Sequence, residues 1–546
     1  MPFSFLATAF LLLFTSITAS ATEESWEDRR SALGNTEKYR ILVDKVLSRG
    51  EDFTNSTDWI LQPEHFKEIR DAGFNVVSPR IGGADPARIR RDAQHSAEAG
   101  LFYLPWIRAT VRSVTGTRLV WPNGQEQNLL SPNSDELWEK LSATILEHAR
   151  ISTEFPSLLG SFLDFENYED DLPDQAQYFC YPLSFDKWIF NEFNSSMGRP
   201  NLNISQASRA AWIELKGLVG PFRDFQVNHW RRKCRNLREN IDAINPDFRL
   251  LVYPAEGSPF LEEAVYKEWG TERAPLALAA FKTYGRRGWI NREEALTKNR
   301  DTVTETLSLL RGKATFHHYL GGIDPLTTGA DPEFCGKNAS MLAEFGDGYW
   351  VFYEGPTYGR EDHTQYFDWF ARANQEIESG TIELWKQPRQ EPDHLKAAVA
   401  LNLDPNLRRI AVLGLRHDLG RKLEETKKYD VHWVKSPAYE YLKQFDAVVL
   451  QEYRLPYDDP WAADLRKYVE GGGGLLLLHE VGEGFNYLFP ELIETDSSLK
   501  DSDTRGVIGS GRVVLSEMNC GKDLEEPLGG NALDQFLSLV GWISGR

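Results

Sequence analysis

The sequence predicts an α/β protein of two parts, a (β/α)8 barrel followed by a smaller doubly wound α/β domain. Three observations lead there. The chain has 546 residues, more than one hydrophobic core usually organises. Eight short β-rich runs alternate with amphipathic stretches over the first two thirds of the chain, the pattern of repeated βα units. A polar, proline-bearing segment, Lys386-Gln-Pro-Arg-Gln-Glu-Pro-Asp, then separates these from four further runs.

The eight runs are Ile41–Val46, Phe74–Pro79, Phe102–Trp106, Leu158–Glu166, Arg249–Pro254, Leu276–Phe281, Thr315–Tyr319 and Tyr349–Glu354. Helices are predicted between them. Pro63 to Ala72 opens on proline and is followed by Gly73, where a terminating glycine belongs. Asp85-Pro86 opens a stretch that ends at Ala99-Gly100, and Asp135 to His148 is a third helix. A long insertion, Asn167 to Asn245, follows the fourth run and is expected to carry extra helices over part of the barrel mouth. The barrel is bounded at 22–390 and the second domain at 395–546. In the latter, Arg409–Leu415, Tyr429–Val434, Phe445–Leu450 and Leu475–His479 read as parallel strands. The run Gly471 to Gly474 precedes a strand, whereas a dinucleotide loop follows one, so it is read as a helix-to-strand turn.

Composition narrows the function. Hydrophobic residues make up 41% and charged residues 26%, which excludes a mostly disordered or multi-span membrane chain. Asp plus Glu number 81 against 61 Lys plus Arg, a net charge of -20 that repels nucleic acid. Phe5 to Phe14 is apolar and leads to Ala19-Ser20-Ala21, a cleavage pattern, so residues 1–21 read as a signal peptide of a secreted or periplasmic protein with no membrane attachment afterwards. The four cysteines, Cys180, Cys234, Cys335 and Cys520, are too widely spaced for a thiolate zinc site. They are either free buried thiols or include a Cys180–Cys234 disulfide. Sequons stand at Asn55, Asn194, Asn203 and Asn338.

In a barrel the reactive groups sit at the carboxyl ends of strands. Four carboxylates there are the catalytic candidates: Asp164, Glu166, Glu256 and Glu354. Glycosidic cleavage needs one carboxyl to protonate the leaving oxygen and another to attack the anomeric carbon or activate water. In a strand, Asp164 and Glu166 point to one side and Phe165 to the helices. Lys45, Arg80 and Arg108 would hold substrate hydroxyls or anionic groups. Trp106, Tyr168, Tyr284 and Tyr353 would stack on sugar faces or pack the mouth, with Asn167 beside them. His317 and His318 are substrate-binding candidates that face opposite ways, so both cannot easily ligate one ion; one would hydrogen-bond substrate hydroxyls, or is a satisfied barrel histidine, and no metal and no cofactor is expected. The expected partner is a carbohydrate, and the expected reaction is hydrolysis of an O-glycosidic bond in a poly- or oligosaccharide. The rival readings are a non-catalytic carbohydrate-binding or scaffold protein with a degenerate barrel, and a polysaccharide lyase using Tyr284 with Lys282.

The tail, with Phe445-Asp-Ala-Val-Val-Leu, Val469-Glu-Gly-Gly-Gly-Gly-Leu-Leu-Leu-Leu-His and Gly511-Arg-Val-Val-Leu, resembles a class-I glutamine-amidotransferase-like domain. Following a TIM barrel, it is similar in order to family-42 beta-galactosidases, where such a module is non-catalytic and takes part in trimer formation. The resemblance implies a homo-oligomer formed through the C-terminal domain. No cysteine directly follows the central strands of this domain, in keeping with a non-catalytic module. Clan-A enzymes of that kind carry the acid/base Glu after an Asn on strand four and a nucleophile Glu on strand seven. Here Asn167 follows Glu166, and the seventh run, Thr315–Tyr319, has no Glu. The Asp-x-Glu ending of strand four also resembles the end of a chitinase-type motif, with Glu166 as acid and Asp164 as orienting group. Asp164 with Glu256 resembles the nucleophile and acid pair of alpha-amylase-like barrels.

Overall fold

The computed structural model describes residues 25–44, 61–79, 85–166, 181–200, 202–255, 258–284, 293–325, 330–353, 363–388, 406–413, 417–434, 439–450, 460–478, 488–489, 504–516 and 530–545. Its larger sheet contains β1 (Tyr39–Asp44), β2 (Val76–Pro79), β3 (Phe102–Tyr103), β4 (Trp106–Arg108), β7 (Gly160–Asp164), β8 (Arg249–Tyr253), β9 (Leu276–Ala279), β10 (His317–Ile323) and β11 (Gly348–Tyr353). The hydrogen-bonded order is β3-β2-β1-β11-β10-β9-β8-β7-β4, and these pairings are parallel.

The two ends of that order are halves of one stretch, 102–108, split at Leu104-Pro105. Proline has no N–H to give a ladder. On one edge of this stretch Phe102 N donates to Asn75 O and Leu104 N to Val77 O. On the other edge Tyr103 N donates to Ser157 O, Leu159 N to Tyr103 O, and Phe162 N to Pro105 O. The sheet therefore meets itself, as the eight predicted runs require.

Side chains alternate between two cores. The inner cluster holds Ile41, Val43, Val76, Phe102, Leu104, Trp106, Phe162, Leu251, Tyr253, Ala277, Ala279, Leu320 and Trp350. The outer cluster holds their neighbours, such as Leu42, Val77, Tyr103, Ile107, Leu163, Val252, Leu278 and Val351, packed against the helices. The predicted helix starts are present: Asp85 caps Pro86–Glu98 by accepting from Ala87 N, and Pro63 opens Pro63–Asp71. Gly73 and Gly100 take positive φ at the turns that follow.

The seventh strand differs from expectation. It runs His317–Ile323, through Gly321 and Gly322, so His317 and His318 stand at its start and not at its mouth end. Gly322 lies beyond the predicted run Thr315–Tyr319 and is needed for close packing: a Cβ there would run into the Ala280 carbonyl and the Tyr284 ring. His318 belongs to the barrel base. Its ring lies 5.5 Å from Tyr39, and Gly34 packs directly on it. Arg249, at the start of β8, donates to Leu33 O, Arg30 O and the Tyr39 hydroxyl, tying the helix Trp26–Ala32 across this end.

Between the third strand and the helix Asp135–Glu154 lies a hairpin that periodicity did not suggest, β5 (Arg118–Val120) with β6 (Glu126–Leu130). The described part of the insertion carries the helices Lys187–Ser196, Arg209–Leu215 and Val219–Asp242, which share an apolar cluster around Phe190, Phe193, Ile213 and Phe222. A buried network joins insertion to barrel: Asn133 donates to Asp186 and Gln226, and Trp230 Nε1 donates to Asn133 Oδ1 at 2.7 Å. Cys234 and Cys335 are buried free thiols, so the disulfide considered for Cys234 is not formed; Cys180 and Cys520 lie outside the described residues. The sequons at Asn194 and Asn338 are fully buried, which excludes a glycan on either in the folded chain. Asn203 is exposed, and Asn55 lies outside the described residues.

A second sheet is mixed. It contains β12 (Arg408–Leu413), β13 (Tyr429–Trp433), β14 (Ala447–Leu450), β15 (Gly474–Leu478), β16 (Thr504–Ile508) and β17 (Gly511–Ser516), in the order β13-β12-β14-β15-β17-β16. Only the β16–β17 pairing is antiparallel among those described. Helical residues cover both faces: Leu442, Leu465 and Val469 on one, Leu419, Leu423, Phe536 and Val540 on the other. The glycine run is the turn between Pro460–Glu470 and β15, with Gly472 at φ +106°. Among the described residues, no helix is long and apolar enough to cross a membrane.

Burial, reinforced by Arg249, His317 and Lys38, pushes the His318 imidazole down to about 3, and burial pushes His148 down to about 4. The unfolded chain protonates both near 6.5, so it gains protons that the native state refuses as pH falls through that value. Stability from these groups is complete above pH 6.5 and is lost on acidification. Urea midpoints measured from pH 7.5 to 5 should fall, and His318→Gln should flatten that fall.

Candidate active site

The alternation that builds the barrel decides which side chains reach its interior. Phe162 lies in the inner core while Leu163 and Phe165 lie in the outer one, so Asp164 faces inward at the mouth end of β7. Arg108 ends β4 and is directly paired with Asp164 in the ladder. Both side chains therefore leave adjacent strands on the same side, and Arg108 Nη1 lies 2.9 Å from Asp164 Oδ2.

Glu166 follows one turn beyond the strand. Its N–H donates to Asp164 Oδ1 at 2.9 Å, and its carbonyl accepts from Arg108 Nη1 and from Thr110 Oγ1 at 3.0 Å. Glu166 Oε2 stands 3.6 Å from the same guanidinium nitrogen. The two carboxylates do not share one environment. The Asp164 side chain is 1% exposed, whereas Glu166 is 12% exposed. Asp164 is committed to Arg108 and to the Glu166 amide, which suits an orienting group. Glu166 is the carboxyl that can meet a ligand.

Beneath this cluster lies a floor of rings centred on Trp350. Tyr253 is 5.0 Å, Tyr284 5.7 Å and Phe162 5.8 Å from it, centroid to centroid. Trp106 packs 5.2 Å from Phe352 and 5.9 Å from Phe162. Trp350 Nε1 donates to Ala280 O, which fixes the central ring. Trp106 is thus an inner-core residue below the rim. Tyr284 and Phe352 are partly exposed.

Tyr353 does not join them. It sits in the outer core, fully buried, with its hydroxyl 2.8 Å from His363 Nδ1 and its ring against Tyr366 and Phe367. The expectation of a sugar-facing ring there is corrected by strand parity, since Trp350 and Phe352 take the inward positions of β11. His317 and His318 are likewise removed from the mouth by the true course of β10. Lys45, Arg80, Asn167, Tyr168, Glu256 and Glu354 lie outside the described residues.

The same shift of β10 brings in a carboxylate that the catalytic candidates left out. Leu320 is an inner-core residue, so Gly322 follows on the inward phase, and Asp324, one residue past the mouth end of the strand, is 4% exposed. Asp324 is legible in the sequence as a polar group beyond the end of the seventh run, though not among its catalytic candidates. Among the described residues, no group of three or more His, Cys, Asp or Glu is placed to hold a metal ion.

No protein-family profile and no curated protein matches the sequence. Solved structures do. The chain is similar to a beta-galactosidase from Bacillus circulans sp. alkalophilus, at 11% identity and TM-score 0.40, over 88% of this chain and 86% of that one. It is similar to a beta-galactosidase from the haloarchaeon Halorubrum lacusprofundi, at 11% identity and TM-score 0.40, over 93% and 90%. It is also similar to an exo-beta-1,4-mannosidase from Opitutaceae bacterium strain TAV5, at 12% identity and TM-score 0.33, over 92% and 96%.

Removing Arg108 would take away a cation 2.9 Å from the buried Asp164 carboxylate. Arg108→Met should cost about 3 kcal/mol by urea unfolding, and much of that should return when Asp164→Leu is added.

Proposed function

We propose that this chain is a glycoside hydrolase acting on a poly- or oligosaccharide, with Glu166 as general acid/base. The observation that carries the reading is the pairing of a partly exposed carboxyl with a buried, arginine-bound partner at the mouth end of β7, above a floor of aromatic rings. A sugar ring laid on Tyr284 and Phe352 would present its glycosidic oxygen to the rim, and Glu166 would protonate that oxygen as the bond breaks. Asp164 would hold Glu166 in place through the Glu166 amide and through Arg108. Asp324, one residue past the mouth end of the seventh strand, is the second carboxylate in this reading and replaces the missing Glu of the clan-A pattern. It would stabilise or attack the anomeric carbon. Arg108, partly exposed, would also hold a substrate hydroxyl or anionic substituent.

The chain in this reading is exported, its residues 22–390 carry the reaction, and 395–546 form a non-catalytic amidotransferase-like module through which copies associate. A non-catalytic carbohydrate-binding protein is the second reading. It is favoured by the guanidinium of Arg108, which stands 2.9 Å from Asp164 Oδ2 and 3.6 Å from Glu166 Oε2 and so engages both carboxylates.

Screening the purified protein against plant and algal polysaccharides should reveal reducing ends released from at least one. On that substrate Glu166→Gln should lower kcat by about 10²- to 10⁴-fold while leaving the urea midpoint and glycan binding unchanged. Near wild-type turnover in the variant would remove Glu166 from the acid/base role.

A further inference from the structure

Beyond Leu320 the seventh strand loses its neighbour on one side. The β9–β10 ladder ends at Leu320↔Ala279, with one more bond from Ala280 N to Leu320 O, while β10 continues beside β11 to Ile323. In a parallel ladder alternate residues turn their N–H and C=O to the same edge. Leu320 turns its carbonyl to β9, so Gly322 turns both of its groups to that vacated edge.

A single hydroxyl takes the place of the strand. Thr283 Oγ1 accepts from Gly322 N at 2.6 Å and donates to Gly322 O at 2.9 Å. Thr283 is itself fixed from behind. Its carbonyl accepts from Asn299 Nδ2 at 2.7 Å and from Asn338 Nδ2 at 3.2 Å, and Asn299 also donates to Asn338 Oδ1 at 3.1 Å. Asn299 belongs to the helix Glu293–Leu310 and Asn338 to the helix Pro332–Phe345. All three side chains are buried, at 0 to 3% exposure. Three separate elements, β10 and these two helices, thus converge on one threonine, which sits between two residues of the candidate site: Tyr284 is its chain neighbour, and Asp324 lies two residues past the glycine it grips.

We infer that Thr283 is a positioning residue of the mouth, a clasp that sets Asp324 and Tyr284 relative to each other with Asn299 and Asn338 as its anchor. This rests on the glycosidase reading above. It explains why polar groups are spent in a layer otherwise filled with apolar side chains, since a fully satisfied buried network rigidifies what it holds. It also explains the glycine. Gly322 lets the Tyr284 ring and the Ala280 carbonyl close over the strand, and leaves its backbone groups within reach of the hydroxyl. The buried sequon Asn338-Ala-Ser is a coincidence of this anchor.

The test compares Thr283→Val, which loses the hydroxyl, with Thr283→Ser, which keeps it, in the full chain. Hydrogen exchange should quicken at least tenfold in the Val variant over segments 281–284 and 320–325 and remain as in wild type in the Ser variant. On whichever polysaccharide of the panel the wild type cleaves, Thr283→Val should lower kcat about 10- to 100-fold with KM changed less than about threefold, the pattern of misplaced reacting groups. Thr283→Ser should restore turnover. Unchanged exchange at 320–325, or a quickening spread equally over the distant strand 39–44, would overturn the clasp. A wild type that cleaves nothing on the panel would retire the glycosidase reading, and the exchange comparison then decides the clasp by itself.

Discussion

The whole barrel depends on residues 102–108 bonding along both edges. This stretch receives bonds with 75–77 on one side and with 157–162 on the other, although proline at its centre breaks it into two short ladders. Without that double pairing the sheet would be open, with unpaired edges and no common interior. With it, every strand has an inside and an outside, and a period of two assigns each side chain to one of them.

That assignment produces the candidate site. Asp164 and Arg108 meet because β4 and β7 are adjacent and in register at their last residues. Glu166 meets the same guanidinium because the Asp164 carboxylate accepts its amide and folds the chain back. The rings below are inward residues of the strands and of the short turn after β9. They bury the interior while leaving Tyr284 and Phe352 partly open. The base of the barrel is treated differently. There Arg249 satisfies itself on carbonyls of the N-terminal helix, and His318 is buried neutral, so this end is a structural seal.

The carboxylates show how burial can divide two chemically similar groups. Asp164 is desolvated and compensated by Arg108, a pair whose loss on one side would be costly. Glu166 keeps solvent contact. In the proposed reaction the first holds and the second exchanges the proton. The clasp at Thr283 extends this division around the ring: a buried polar set fixes the far wall, and the groups that would meet a sugar are carried at its edges.

Much of this was legible in the residues themselves. Short apolar runs marked all eight strands, Pro63, Asp85 and the glycines at 73 and 100 marked helix ends, and the Asp-x-Glu spacing placed Asp164 inward and Phe165 outward. These are local properties, set by steric preference and by the two-residue period of an extended chain. What the tertiary structure decided was where each strand stops and which neighbour it has there. Gly321-Gly322 lies beyond the run Thr315–Tyr319 that the residues marked, yet it is strand, because the hydroxyl of Thr283 stands in for the missing ladder and the close approach of Ala280 and Tyr284 excludes a side chain. That one difference moves His317 and His318 to the base and brings Asp324 to the mouth. Tyr353 turned to the helical shell for a related reason: inward or outward is fixed by register against neighbouring strands, and register is a property of pairs of segments far apart in the chain.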